Sequence, residues 1–242
     1  MPVSIPNTAP GFALLQGAGF QNIASSAQYF DTVSQVLVQA DGRVLVAGTS
    51  QGESGNRMLV ARLNADGSLD TGFGTSGLVE LLANSAGSTD YSAECLDMAL
   101  QADGRIVLVG SGRDSLVSSR DQMAVIRLNT DGSLDTSFST DGKQLVVANT
   151  AIGYRSAAND VLVQADGKIL LVGHATYTTT GSTEFALARL NADGSLDTSF
   201  DSDGRVLTDA AVPVFGSGTA SFTDGIDAVV AEVLPGGKVE AI

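Results

Sequence analysis

The chain has 242 residues, 43% of them hydrophobic and 17% charged, so it carries enough apolar material for a sizeable core. No stretch reaches the ~18 consecutive apolar residues of a spanning helix. The net charge is −14, and the 13 Lys and Arg are scattered singly, the reverse of a phosphate-binding footprint, so neither nucleic acid nor an anionic membrane is an expected partner.

The opening MPVSIPNTAPGF lacks the basic and apolar regions of a secretory signal. GFALLQ at 11–16 reads as the last strand of an incomplete unit spanning 1–30. Three fuller copies follow, at about 31–82, 83–147 and 148–208, and a partial one at 209–242, so the whole chain is expected to be one repeat domain. Each copy carries two signatures. QADGRVLVAG at 39–48 returns as QADGRIVLVG at 101–110 and QADGKILLVG at 164–173, and fades to LPGGKVEAI at 234–242. ARLNADGSLDTGF at 61–73 returns as IRLNTDGSLDTSF at 126–138 and ARLNADGSLDTSF at 188–200. The first pair of signature aspartates, Asp41 and Asp103, lies 62 residues apart and the second, Asp103 and Asp166, 63. Periods of this size mark stacked or radial repeat architectures.

Within a copy, short Val/Leu/Ile runs are bounded by Asp-Gly, and no 3.6-residue stripe is long enough for a helix. SQVLVQ and RVLVAGT, joined by Ala-Asp-Gly, form a predicted hairpin of strands a and b, with Gly42 supplying the positive φ of the turn. RMLVARLN is strand c. It runs into Asp66-Gly67, then SLDTGF, then strand d at GLVELL, 77–82. The fold class is therefore all-β, a β-propeller of four-stranded antiparallel blades. Bare sheet edges are costly, so the ring is expected to close through shared termini or through homodimerisation. Leu37, Val44, Leu45, Leu59, Val60, Val107, Val125, Leu170 and Leu187 are the predicted core, with Phe73, Phe138 and Phe200 plugging equivalent positions between blades.

The recurring LNxDGSLDxxF and QADGK/R resemble the delta-60 repeat family, and the match covers the chain from about residue 31 to 242. That resemblance implies a propeller-like domain of large bacterial proteins, often secreted or attached to the cell surface. A looser likeness in strand order links the blades to NHL and gluconolactonase/paraoxonase-type propellers, at the level of fold.

Strand direction sorts the loops. The start of strand a and the b–c loop share one end of the blade, and the two Asp-Gly turns share the other. The b–c loops differ between copies (TSQGESGN, SGRDSLVSSRDQ and HATYTTTGST), and variable loops on a rigid scaffold are where binding commonly resides. A scaffold presenting them to a protein or glycan is the first functional expectation.

A hydrolase is the alternative. If strand a is innermost, as the propeller analogy implies, Gln35, Asp97 and Asp160 occupy equivalent positions near its start. With Asp31 or Asp227 they would offer hard oxygen ligands to a divalent cation, calcium first, that activates water against an ester, lactone or phosphotriester. The bland reading is one hydrated polar residue per blade.

His174, the sole histidine, stands where Thr49 and Ser111 stand in the other copies. It reads either as a general base or ligand working with Asp160 and Asp97, or as a solvated imidazole. Asp193, Asp197, Asp201 and Asp203 resemble a calcium loop, but the set dissolves between copies. Asx turns, with Asp70, Asp135 and Asp197 pairing Arg62, Arg127 and Arg189, explain it better. Gly48-x-Ser50-x-Gly52 matches a nucleophile elbow only formally, because a strand rather than a helix follows. Cys95, the one cysteine, permits neither an internal disulfide nor a zinc knuckle and reads as a small buried apolar residue.

Overall fold

The computed structural model describes residues 31–52, 55–83, 92–114, 118–148 and 154–208, and places four further short strands nearer the termini. In chain order the strands are β1 (Phe12–Ala13), β2 (Asn22–Ile23), β3 (Thr32–Val38), β4 (Val44–Gly52), β5 (Gly55–Leu63), β6 (Leu78–Leu81), β7 (Ala93–Leu100) and β8 (Ile106–Asp114). They continue with β9 (Ser118–Leu128), β10 (Lys143–Val146), β11 (Tyr154–Val163), β12 (Ile169–Tyr177), β13 (Thr183–Leu190), β14 (Arg205–Thr208), β15 (Ala231–Val233) and β16 (Val239–Ala241). Three four-stranded antiparallel sheets result, β3 to β6, β7 to β10 and β11 to β14, each an up-and-down meander in sequence order. The termini contribute two separate two-stranded sheets, β1 with β2 and β15 with β16.

Each a–b hairpin closes on a glycine with φ of +83°, at Gly42, Gly104 and Gly167, a conformation in which a Cβ is strained. Strand b of every sheet is apolar on both faces, and in the middle sheet each face is covered by a neighbouring sheet. In β8, Ile106 and Leu108 face the first sheet while Val107 and Val109 face the third. Leu45, Leu59, Val60, Val107, Val125 and Leu170 are buried as expected. Leu37, Val44 and Leu187 are only half-buried, because the first two lie in sheet 1 and the third in sheet 3, the two ends of the stack. Cross-sheet packing runs through the first strands: β7 lies against β3, β4 and β5, and β11 against β7, β8 and β9.

The two repeat signatures meet at one aspartate. Arg62, Arg127 and Arg189 donate Nε–H to Asp70, Asp135 and Asp197 at 2.7 Å, as the sequence predicts. The basic residue after each a–b turn approaches the same carboxylate: Arg43 at 3.6 Å, Arg105 at 3.2 Å and Lys168 at 3.1 Å. Each guanidinium also stacks on the phenylalanine that ends the signature, 4.5 Å from Phe73, 4.6 Å from Phe138 and 4.5 Å from Phe200. Phe73 and Phe138 then pack beneath the c–d turn of the next sheet, where a Cβ on Gly132 or Gly194 would come within about 3.0 Å of the ring.

Candidate functional site

The predicted polar positions on the first strands are brought into one row, and a β-bulge is the cause. Each first strand carries an extra residue, with register shifts between Val33 and Gln35, Cys95 and Asp97, and Ala158 and Asp160. The bulge releases the next backbone N–H from the ladder, and the side chain at the shifted position accepts it. Val36 N donates to Gln35 Oε1 at 2.9 Å, Met98 N to Asp97, and Val161 N to Asp160 Oδ1 at 2.7 Å.

The row is also linked sideways. Gln35 Nε2 donates to Asp97 Oδ1 at 2.9 Å, Val161 N donates to Asp97 Oδ2 at 3.0 Å, and Asp97 is hydrogen-bonded to Asp160. Burial first, and then the Asp160 bond, raises the pKa of Asp97, against the lowering effect of Gln35 and the two amides. Chemically the row is a chain of side-chain bonds stitching three first strands together.

As a cation site it fits poorly in this arrangement. Gln35 turns its N–H rather than its carbonyl towards Asp97, both Asp97 oxygens already accept N–H donors, and burial disfavours the Asp97 carboxylate charge. Among the described residues no three His, Cys, Asp or Glu side chains group to hold a metal. Asp227 lies outside the described residues, and Asp31 is half-buried just before β3.

His174 does not join this row. It sits on β12 opposite Ala157, half-buried, and its Nδ1 is 2.9 Å from Oδ1 of Asn159, the bulge residue of β11. With Asn159 accepting, the ring is the Nδ1–H tautomer, and burial lowers its pKa so that it stays neutral. The expected solvated imidazole is thus only half exposed. The bulge residues Ser34 and Asn159 carry polar contacts that sequence reasoning missed. Ser34 Oγ donates across sheets to Cys95 O at 2.9 Å. The usable signal was the glycine of strand b beside the bulge. A Cβ on Gly110 would stand 1.8 Å from Glu94 O, and one on Gly173 would stand 2.0 Å from Ala157 O.

The remaining candidates resolve into structure. Asp193, Asp197 and Asp203 each accept the N–H two residues on, from Ser195, Ser199 and Arg205, which is Asx-turn bonding. Ser50 is buried within extended β4, and β5 follows it, so no nucleophile elbow forms. Cys95 is 2% exposed and burial pushes its thiol up to about 12, which leaves it inert at neutral pH.

One comparison with known proteins bears on the fold type. Residues 39–73, 101–138 and 164–200 match the family model described as "Domain of unknown function (DUF5122) beta-propeller". No curated protein matches the chain. Among solved structures, a mannose phosphorylase from Leishmania mexicana is similar at 13% identity and a TM-score of 0.36, covering 75% of this chain and 54% of that one. The chain thus spans about half the length of that enzyme, and an overlap this loose says nothing about activity. The chain is built of propeller-type repeats whose three complete copies are the three four-stranded sheets.

Proposed function

We propose that the chain is a binding scaffold, of surface or extracellular type, whose b–c loops meet a protein or glycan partner. One observation carries this reading: the two ends of the blades are spent differently. At the Asp-Gly end, the carboxylates, arginines and phenylalanines are consumed by the same internal bonds in every copy. At the b–c end, each copy carries its own chemistry. Sheet 2 offers an Arg113–Asp121 ion pair at 2.9 Å, and sheet 3 a Tyr154–Tyr177 ring pair at 5.1 Å beside Thr178, Thr179 and Thr180. Paired tyrosines next to hydroxyls suit a sugar face with its own hydroxyls.

The test is a panel of immobilised glycans probed with the chain and with a variant whose three b–c loops are replaced by Gly-Ser. Saturable binding that disappears in the variant is the expected result, and binding that survives loop replacement counts against the reading.

The second reading is a divalent-cation-dependent hydrolase of esters, lactones or phosphotriesters. Its support is the meeting of Asp97 with Asp160, and it requires Gln35 to turn its carbonyl inward and Asp97 to release the Val161 amide. Chelator-sensitive turnover of activated esters in the presence of calcium, manganese or zinc, lost on Asp160→Asn and on His174→Ala, would establish it in place of the scaffold.

A further inference from the structure

The joint between sheets has two halves, and among the described residues one half of each kind stands without its counterpart. The donor half is an arginine with its stacked phenylalanine and the N–H of the residue after that phenylalanine. The acceptor half is the c–d turn of the following sheet, Asn-x-Asp-Gly. Between sheets 1 and 2, Arg62 Nη1 donates to Thr130 O, Gly74 N donates to Asp131 O at 2.8 Å, and Gly132 covers Phe73. Between sheets 2 and 3 the set is repeated: Arg127 Nη1 to Ala192 O at 2.5 Å, Ser139 N to Asp193 O at 2.8 Å, and Gly194 over Phe138.

Among the described residues, nothing covers the acceptor half of sheet 1. Ala65, Asp66 and Gly67 are exposed, whereas Gly132 and Gly194 are buried, and a Cβ on Gly67 would meet nothing within 4 Å. The donor half of sheet 3 is formed: Arg189 bonds Asp197 and stacks on Phe200. Among the described residues, no carbonyl answers its Nη1 or the N–H of Asp201. The sequence contains Asn-x-Asp-Gly-Ser-Leu three times, at 64–69, 129–134 and 191–196, and the last two already serve sheets 1 and 2. Among the described residues, the unserved turn at 64–67 is the chemical complement of the unserved donor at Arg189–Phe200, and they stand at opposite ends of the same stack.

We propose that the turn Ala65–Gly67 is an interaction surface for the Arg189–Phe200 end of a second copy of this chain, so that copies associate head to tail. A contact of this type joins unlike surfaces, and repetition of it closes a ring or extends a fibre according to the rotation per copy. The chemistry is already specified by the internal joints: Arg189 Nη1 on the partner's Ala65 O, Asp201 N on the partner's Asp66 O, and Phe200 under the partner's Gly67.

A crosslinking experiment tests it on the full chain. Asp66→Cys and Asp201→Cys place thiols at the two positions whose backbone N and O lie 2.8 Å apart in both internal joints. Cys95 does not compete, because it is buried. A mixture of the two variants should form a disulfide-linked dimer under mild oxidation, and neither variant alone should do so. Absence of crosslinking in the mixture, or crosslinking within either variant alone, overturns the proposal.

Light scattering supplies a second measurement. The wild-type chain should run as a dimer or larger, and Gly67→Asn should run as a monomer with unchanged circular dichroism. Asn tolerates the φ of +83° found there, while its Cβ would obstruct the incoming phenylalanine. A monomeric wild-type chain overturns the proposal independently.

Discussion

Asp97 and the three signature aspartates show how one residue type is tuned in opposite directions by its surroundings. Burial and then the Asp160 bond raise Asp97, so its contribution to stability is fully present below the ordinary Asp value of about 3.9 and is lost as pH rises through its folded pKa. Asp70, Asp135 and Asp197 are lowered. For Asp197 the Ser199 hydroxyl leads, followed by Lys168 and Arg189. In Asp70 and Asp135 burial is outweighed by amide, hydroxyl and arginine donors. Their contribution is present above the ordinary value and is lost as pH falls through their folded pKa. Asp97→Asn removes the first contribution and keeps the second. Its urea-unfolding midpoint should therefore rise relative to wild type between acidic and neutral pH, and a difference that stays constant across that range would show that the Asp97 carboxyl does not titrate as argued.

The first strand of each sheet is defined by its bulge as much as by its apolar pattern. Strand alternation and Asp-Gly turns were legible in the sequence because both are local, and the predicted hairpins and c strands match the observed registers. The bulge was not legible, because the extra residue is Ser34 in one copy, Leu96 in the next and Asn159 in the third, with no shared chemistry. What the copies share is the glycine opposite. Gly173→Ala drives a Cβ to 2.0 Å from a backbone carbonyl that has no freedom to retreat, and should cost about 1–3 kcal/mol or more. Gly67→Ala meets only the strain of a positive φ and should cost about 1 kcal/mol. Thermal unfolding of the two variants side by side checks the order.

At the level of the whole molecule, the repeats behave as nearest neighbours joined by identical couplings. Arg127 serves such a coupling, since it holds Asp135, covers Phe138 and reaches Ala192 of the next sheet. Arg127→Ala strands a buried carboxylate and breaks the inter-sheet bond, so a loss of about 3–5 kcal/mol is expected from chemical denaturation. Arg127→Lys should recover little, because an ammonium cannot stack and fork at once. Measured in the monomeric Gly67→Asn background, Arg189→Ala removes the same stack without an inter-sheet bond and should cost less; an equal loss at both positions would deny the coupling its share.

The sequence alone determined the repeat, the four strands per copy, the turns and the Arg–Asp pairing, because these are properties of segments a dozen residues long that recur unchanged. Tertiary structure decided the rest. Gln35 and Asp97 are 62 positions apart and meet only when neighbouring sheets stack with their bulges in step, and one inserted residue placed Asn159 rather than Asp160 beside His174. A shift of one residue turns every side chain on a strand to the opposite face, so no pattern read along the chain could choose these partners.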